Sequence, residues 1–220
     1  MKIYSFRLHF AIFLIVFFFF VLPPCFTFSV SSSFLNWSFP VINCAYAVAA
    51  LLIFYFFNSD KKKSFVIFPF IISICALLCF SFIFKGISIF IQNSSFSEST
   101  FFFGKSSLEV ERPGTFLTWF FCILTFLFSA FFEEVIYRFF LPFSLITFLE
   151  KKWNGKIIII ITEVLTALLF AAAHIYLGFL AFLNALCAHI ILRICYKKYG
   201  LIIPVFLAHF GYNIISLILL

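Results

Sequence analysis

Charge is scarce in this chain. Its 220 residues include 15 Lys and Arg and 8 Asp and Glu, 10% in all, where soluble domains carry about 25%. That is too little charge to cover a water-facing surface, so the ordinary soluble globular class is excluded and the solvent must be lipid. Paired cysteines are also missing. Seven cysteines occur (Cys25, Cys44, Cys75, Cys79, Cys122, Cys187 and Cys195), but none forms a C-x-x-C pair. This speaks against a disulfide framework or a zinc ribbon, and they read as small buried hydrophobes. No H-E-x-x-H run is present, so the signature of a helix-borne metalloprotease is lacking. Nor is there a dense basic face: the net charge of +7 is spread between apolar segments, which suits membrane orientation rather than nucleic acid. Without an internal repeat, the paired halves expected of many transporters are absent too.

What fills the chain instead is apolar: 65% hydrophobic residues, a mean hydropathy of +1.21 and 41 phenylalanines, with runs such as Phe17 to Phe20. Biased composition filling lipid-facing positions accounts for the phenylalanines better than an aromatic binding box does. A membrane span needs about 20 mostly apolar residues. Seven stretches qualify, near 8–28, 39–57, 64–91, 116–141, 157–177, 178–195 and 201–220, which predicts an all-α, polytopic membrane protein of about seven transmembrane helices. The third and fourth are long enough to tilt or to continue along the interface. The first has Lys2 and Arg7 before an apolar core but no small-residue cleavage site after it, and reads as an uncleaved anchor. With the N-terminus in the cytoplasm, eleven of the fifteen Lys and Arg fall on cytoplasmic segments: Lys2, Arg7, Lys61 to Lys63, Lys151, Lys152, Lys156, Arg193, Lys197 and Lys198. The outer loop holds only Lys105 and Arg112, beside Glu98, Glu109 and Glu111. This positive-inside bias predicts a multi-pass protein with its C-terminus outside, and the membrane expected is a bacterial plasma membrane. The loop at 92–115, rich in Ser and Phe, carries no readable signal.

Against this background a few polar groups lie within apolar spans. A charge at the bilayer centre costs at least ~2.5–3.5 kcal/mol, so such residues face a protein interior and mark function. Glu133, Glu134 and Arg138 lie in the fourth span, Glu163 and His174 in the fifth, His189 in the sixth, and His209 and Asn213 in the seventh. Glu134 and Arg138 stand four residues apart and can pair on one helix face. Glu133 points about 100° away and is left to face a cavity. His209 and Asn213 repeat the i, i+4 spacing, as do Phe170 and His174. Three helices thus offer an acid, two imidazoles and an amide. Amide hydrolysis needs such a set: a base for water, a donor for the oxyanion and shielding from bulk solvent. Hydrogen-bonded packing between helices is the competing reading for each residue taken alone. It is the favoured one for His189, four residues from Arg193, and for Glu163, which follows a Thr162 able to cap a helix and lies toward Lys156.

At these residues the chain resembles the CAAX protease and bacteriocin-processing (Abi) family of membrane proteins. Glu133-Glu134-Val135-Ile136-Tyr137-Arg138 matches E-E-x-x-x-R, Phe170-Ala171-Ala172-Ala173-His174 matches F-x-x-x-H, and His209-Phe210-Gly211-Tyr212-Asn213 matches H-x-x-x-N, in the family's order. The resemblance covers about 116–220 as a catalytic core and leaves 1–115 as N-terminal helices and a loop without a specific motif. It implies an α-helical intramembrane endopeptidase acting on a membrane-associated peptide or protein. Glu133 and His174 would activate water, His209 and Asn213 would bind the oxyanion, and Glu134 with Arg138 would support the site. Two histidines and a glutamate could hold zinc, but the reading adopted is metal-free, with no cofactor. Two alternatives from other classes stay open: a non-enzymatic immunity or scaffold protein of the same family, and a small transporter using Glu133, Glu163 and the histidines as a proton relay.

Overall fold

The computed structural model describes residues 6–26, 38–58, 66–93, 112–150 and 155–219, with the side chains of 88 and 91–93 excepted. Lys2, Lys61 to Lys63, Lys105, Lys151 and Lys152, which weigh on the orientation, lie outside these residues, as does most of the 92–115 loop. Among the described residues the chain forms seven helical segments and no strand. They are α1 (Phe6–Cys25), α2 (Val41–Phe57), α3 (Ile67–Asn93), α4 (Phe116–Leu149), α5 (Gly155–Ala172), α6 (Phe179–Tyr199) and α7 (Ile202–Leu219). Six are long and apolar enough to cross a membrane; α2, at 17 residues, is shorter. The all-α, multi-pass architecture expected from the hydropathy is therefore the architecture found. Exposed Phe19, Phe90 and Phe116 on the outer helix faces fit phenylalanine in a lipid-facing role.

Two helix ends depart from the sequence reading. The fourth helix does not stop near 141 but runs 34 residues to Leu149, about 51 Å at 1.5 Å per residue, well beyond the ~30 Å hydrocarbon core. It starts cleanly: the Thr115 hydroxyl accepts from the Thr118 backbone N–H while the Thr118 hydroxyl bonds back to the Thr115 amide, a reciprocal cap. Pro142 then falls inside it. A proline removes one helical hydrogen bond and crowds the carbonyl four residues earlier, here that of Arg138. Directly before Pro142 the helix widens into a π-helical stretch, Glu134–Phe140. Local adjustments of this kind are how helices enclosed by other helices tolerate proline.

The second departure is α5, which ends at Ala172 rather than near 177, so His174 lies past the helix in a turn. A short 3-10 segment (Ile175–Leu177) and Gly178, at φ 102°, lead into α6. A φ in that range is costly for any residue with a Cβ, and it lets α5 and α6 reverse direction within six residues. Gly200, in the left-handed conformation, closes α6 as a C-terminal glycine commonly does, and α7 starts two residues later.

The bundle packs α2 on α4, α5 on α6, α3 on both α6 and α7, and α7 on the first half of α4. The π stretch sits at its centre. Val135, Ile136, Tyr137 and Phe140 are buried with Val16 and Val21 of α1, Ala50 and Ile53 of α2, Phe170 of α5, Ala185 of α6 and Ile202 of α7. A helix apolar on all sides is one surrounded by others, and this stretch carries Glu134 and Arg138 within it. His9, which sequence reasoning passed over, fixes the far end: its Nε2 lies 3.0 Å from the Ser144 hydroxyl, joining α1 to α4 in a buried contact.

Candidate active site

Glu133 ends the regular part of α4 and Glu134 opens the π stretch. Successive helical positions point in different directions, and these two carboxylates meet the same imidazole from two sides. His209, buried on α7, places Nδ1 2.8 Å from Glu134 Oε1 and Nε2 3.8 Å from Glu133 Oε2. An ionised carboxylate can only accept, so His209 Nδ1 carries the hydrogen and donates it to Glu134. That leaves Nε2 facing Glu133. At 3.8 Å the second contact is too long for a hydrogen bond, and Glu133 Oε2 is buried without a hydrogen-bond partner.

Glu134 has a second neighbour. Arg138 Nε lies 3.4 Å from its Oε2, with both side chains fully buried. The charges are close enough to stabilise each other, yet none of the three Arg138 nitrogens makes a hydrogen bond. The guanidinium instead stacks over the Phe170 ring, 4.0 Å from its centroid, and a buried cation over an aromatic face gains further stabilisation. Phe170 is thus the hub of the site. Its ring also contacts Tyr137 at 5.2 Å, His174 at 4.7 Å, His189 at 5.5 Å and His209 at 6.4 Å.

His174 is held by the end of α5. Its Nδ1 lies 2.8 Å from the Phe170 carbonyl, one of the last-turn carbonyls that a helix leaves without an intrahelical donor. A carbonyl only accepts, so Nδ1 donates and Nε2 of the neutral ring keeps its lone pair. His174 joins the site through the Phe170 ring, which it and His209 both contact. Asn213 lies half-buried on α7, one turn beyond His209. Beside it Asn184 of α6 donates to the Tyr212 hydroxyl at 2.9 Å, a tie between helices that a lone Asn in an apolar run could have signalled.

Glu163 and His189 take different places. Glu163 accepts a two-pronged contact from Arg193 of α6, Nε and Nη2 each at 2.8 Å, and lies 3.2 Å from Lys197. The remaining arm of Arg193, Nη1, donates to the backbone carbonyl of Arg138. His189 is buried against Phe170 with neither ring nitrogen hydrogen-bonded. Pairing across helices thirty residues apart has no local spacing to announce it, which is why Arg193 was not among the site residues read from the sequence.

Among the described residues no three His, Cys, Asp or Glu side chains are grouped to hold a metal ion, and His209 Nδ1 is engaged by Glu134.

Fold and site together define an α-helical membrane protein with a carboxylate–imidazole cluster between α4 and α7, packed against Phe170 of α5. Residues 115–215 match the family described as Type II CAAX prenyl endopeptidase Rce1-like. The match spans the three motifs and bears out the resemblance they carry. Residues 115–215 are thus similar to membrane endopeptidases of the CAAX-protease type. No curated protein and no solved structure matches the chain.

Proposed function

We propose that this protein is an intramembrane endopeptidase in which Glu133 activates a water molecule against a peptide bond of a membrane-associated substrate. The observation that carries the reading is the bridging of Glu133 and Glu134 by His209. One carboxylate orients the ring and the other is left as an acceptor without a hydrogen-bond partner, the condition a base must meet before it takes a proton from water. His174, with Nδ1 committed to a backbone carbonyl, turns its remaining nitrogen to the same task. His209, once protonated at Nε2, and the Asn213 amide supply the donors for the oxyanion as the carbonyl becomes tetrahedral. Glu134 and Arg138 position His209: the carboxylate holds Nδ1–H, and the guanidinium offsets the charge of that carboxylate. After collapse of the tetrahedral intermediate, the proton taken from water passes to the leaving amine. The family description points to C-terminal tails carrying a prenylated cysteine as the first substrates to test, with membrane-bound leader peptides as the second.

No step in this sequence requires a metal. Dialysis of the purified protein against a strong chelator is expected to leave cleavage unchanged; a tightly bound zinc lost together with activity would replace the mechanism with a metal-dependent one.

The N-terminus is proposed to be cytoplasmic, which puts Asn58 and Asn154 inside the cell and Ser95 outside. Single cysteines at those positions, in a background lacking the native ones, are expected to react with a membrane-impermeant thiol reagent in intact cells only at Ser95. Labelling at Asn154 from the outside would reverse the orientation.

A further inference from the structure

Pro142 sits four residues after Arg138 on α4. The Leu141 amide reaches back five residues to the Ile136 carbonyl and the α-helix resumes at Leu141, so the amide of residue 142 is the one that would serve the Tyr137 or Arg138 carbonyl at this change of register, but proline has no N–H to give. The Arg138 carbonyl belongs to the backbone that carries Glu133, Glu134 and Arg138, in the buried centre of the bundle where water does not serve as a replacement. A buried backbone carbonyl left unpaired is costly. The donor comes from another helix: Arg193 Nη1 of α6 reaches the Arg138 carbonyl, while the other side of the same guanidinium is locked to Glu163 of α5. One planar group thereby joins three helices, using the fork geometry that lysine lacks.

We infer that Arg193, anchored by Glu163, is a positioning residue for the catalytic carboxylates: it supplies the hydrogen bond that Pro142 removes and so fixes the π-helical stretch on which Glu134 and Arg138 are mounted. None of the three motifs contains Arg193, Glu163 or Pro142. The inference deepens the proposed proteolytic function and rests on it for its effect on turnover, though not for its effect on the helix.

The relation between Pro142 and Arg193 gives a specific test. Removing Arg193 alone would strand the Glu163 charge, so the pair is removed together as Arg193→Met with Glu163→Gln. Pro142→Ala is then added to this variant, returning an N–H four residues after Arg138. Backbone hydrogen exchange of residues 134–143 is followed by mass spectrometry on the full-length protein in lipid nanodiscs. Cleavage of a peptide with a prenylated C-terminal tail is measured in parallel. Removal of the pair is expected to speed exchange in the π stretch and lower kcat by about ten- to a hundredfold, the effect of one hydrogen bond from a charged donor. KM should change less than threefold. Adding Pro142→Ala should restore most of both losses. Arg193→Lys serves as a second, milder variant: it keeps a positive charge for Glu163 but cannot span both partners, and the same Pro142→Ala change should rescue it. Defects that persist undiminished after Pro142→Ala is added, or exchange that rises equally along all of α6, would overturn the inference and leave Arg193 as ordinary interhelical packing. Should the unaltered protein cleave nothing, the proposed function fails, while the exchange results still decide the role of Arg193.

Discussion

Glu133→Gln is expected to reduce peptide cleavage by about 10²–10⁴-fold, the usual contribution of a positioned general base, with the amount of folded protein in the membrane unchanged. The substitution preserves size and hydrogen-bonding reach but cannot take a proton from water. Two features of the site make the result informative. Glu133 Oε2 has no hydrogen-bond partner to lose, and His209 Nε2, at 3.8 Å, lies beyond hydrogen-bonding distance, so little structural stability depends on the carboxylate. His174→Ala should give a loss of the same order. Because the two groups are proposed to act in one proton-transfer step, the double change should be no worse than either alone, the non-additivity expected of residues that work as a unit. Normal cleavage by Glu133→Gln would remove Glu133 from the chemistry, and a cellular phenotype seen only on deleting the whole protein would favour a scaffold.

Arg138→Ala is expected to behave differently, lowering folded protein and activity together. Glu134 and Arg138 are both fully buried and 3.4 Å apart. Removing one partner of a buried ion pair typically costs ~3–5 kcal/mol, because the other charge is left uncompensated. The same change removes the guanidinium stacked on Phe170 and opens space at the centre of the bundle. Arg138→Ala together with Glu134→Gln should recover much of the folded protein, since no lone charge remains. Activity should stay low, because an amide oxygen holds the His209 Nδ1–H less firmly than a carboxylate does. These amounts are read as protein retained in the membrane fraction and its thermal midpoint in detergent; Arg138→Ala at normal abundance and normal Tm would show that the pair does not support the fold.

Much of the site was legible because helical spacing is local. The Glu134–Arg138 pair follows from the i, i+4 rule applied to an apolar run, and the spans follow from hydropathy. What escaped depends on contacts between helices or on departures from ideal geometry. Nothing in the composition of residues 134–140 marks a π-helix, so the meeting of Glu133 and Glu134 at one imidazole could not be deduced from a regular 100° step. His174 was placed within a span because Ile175, Tyr176 and Leu177 continue the apolar run; the structure ends the helix at Ala172, and only Gly178 hinted at a reversal. Pro142 was visible, but its consequence was not: the donor for the Arg138 carbonyl comes from Arg193, fifty-five positions away.

The central claim is that this chain breaks a peptide bond with a water molecule activated by Glu133. It is tested most directly by single-turnover cleavage in H₂¹⁸O, with the purified protein in liposomes and a panel of membrane-anchored peptides that includes prenylated C-terminal tails and leader peptides. Mass spectrometry of the new C-terminal carboxylate is expected to find one ¹⁸O in the first turnover of the unaltered protein and no product from Glu133→Gln. A product carrying only ¹⁶O in that turnover would mean that a protein carboxylate attacks directly, and equal ¹⁸O-labelled product from both proteins would mean that Glu133 is not the base.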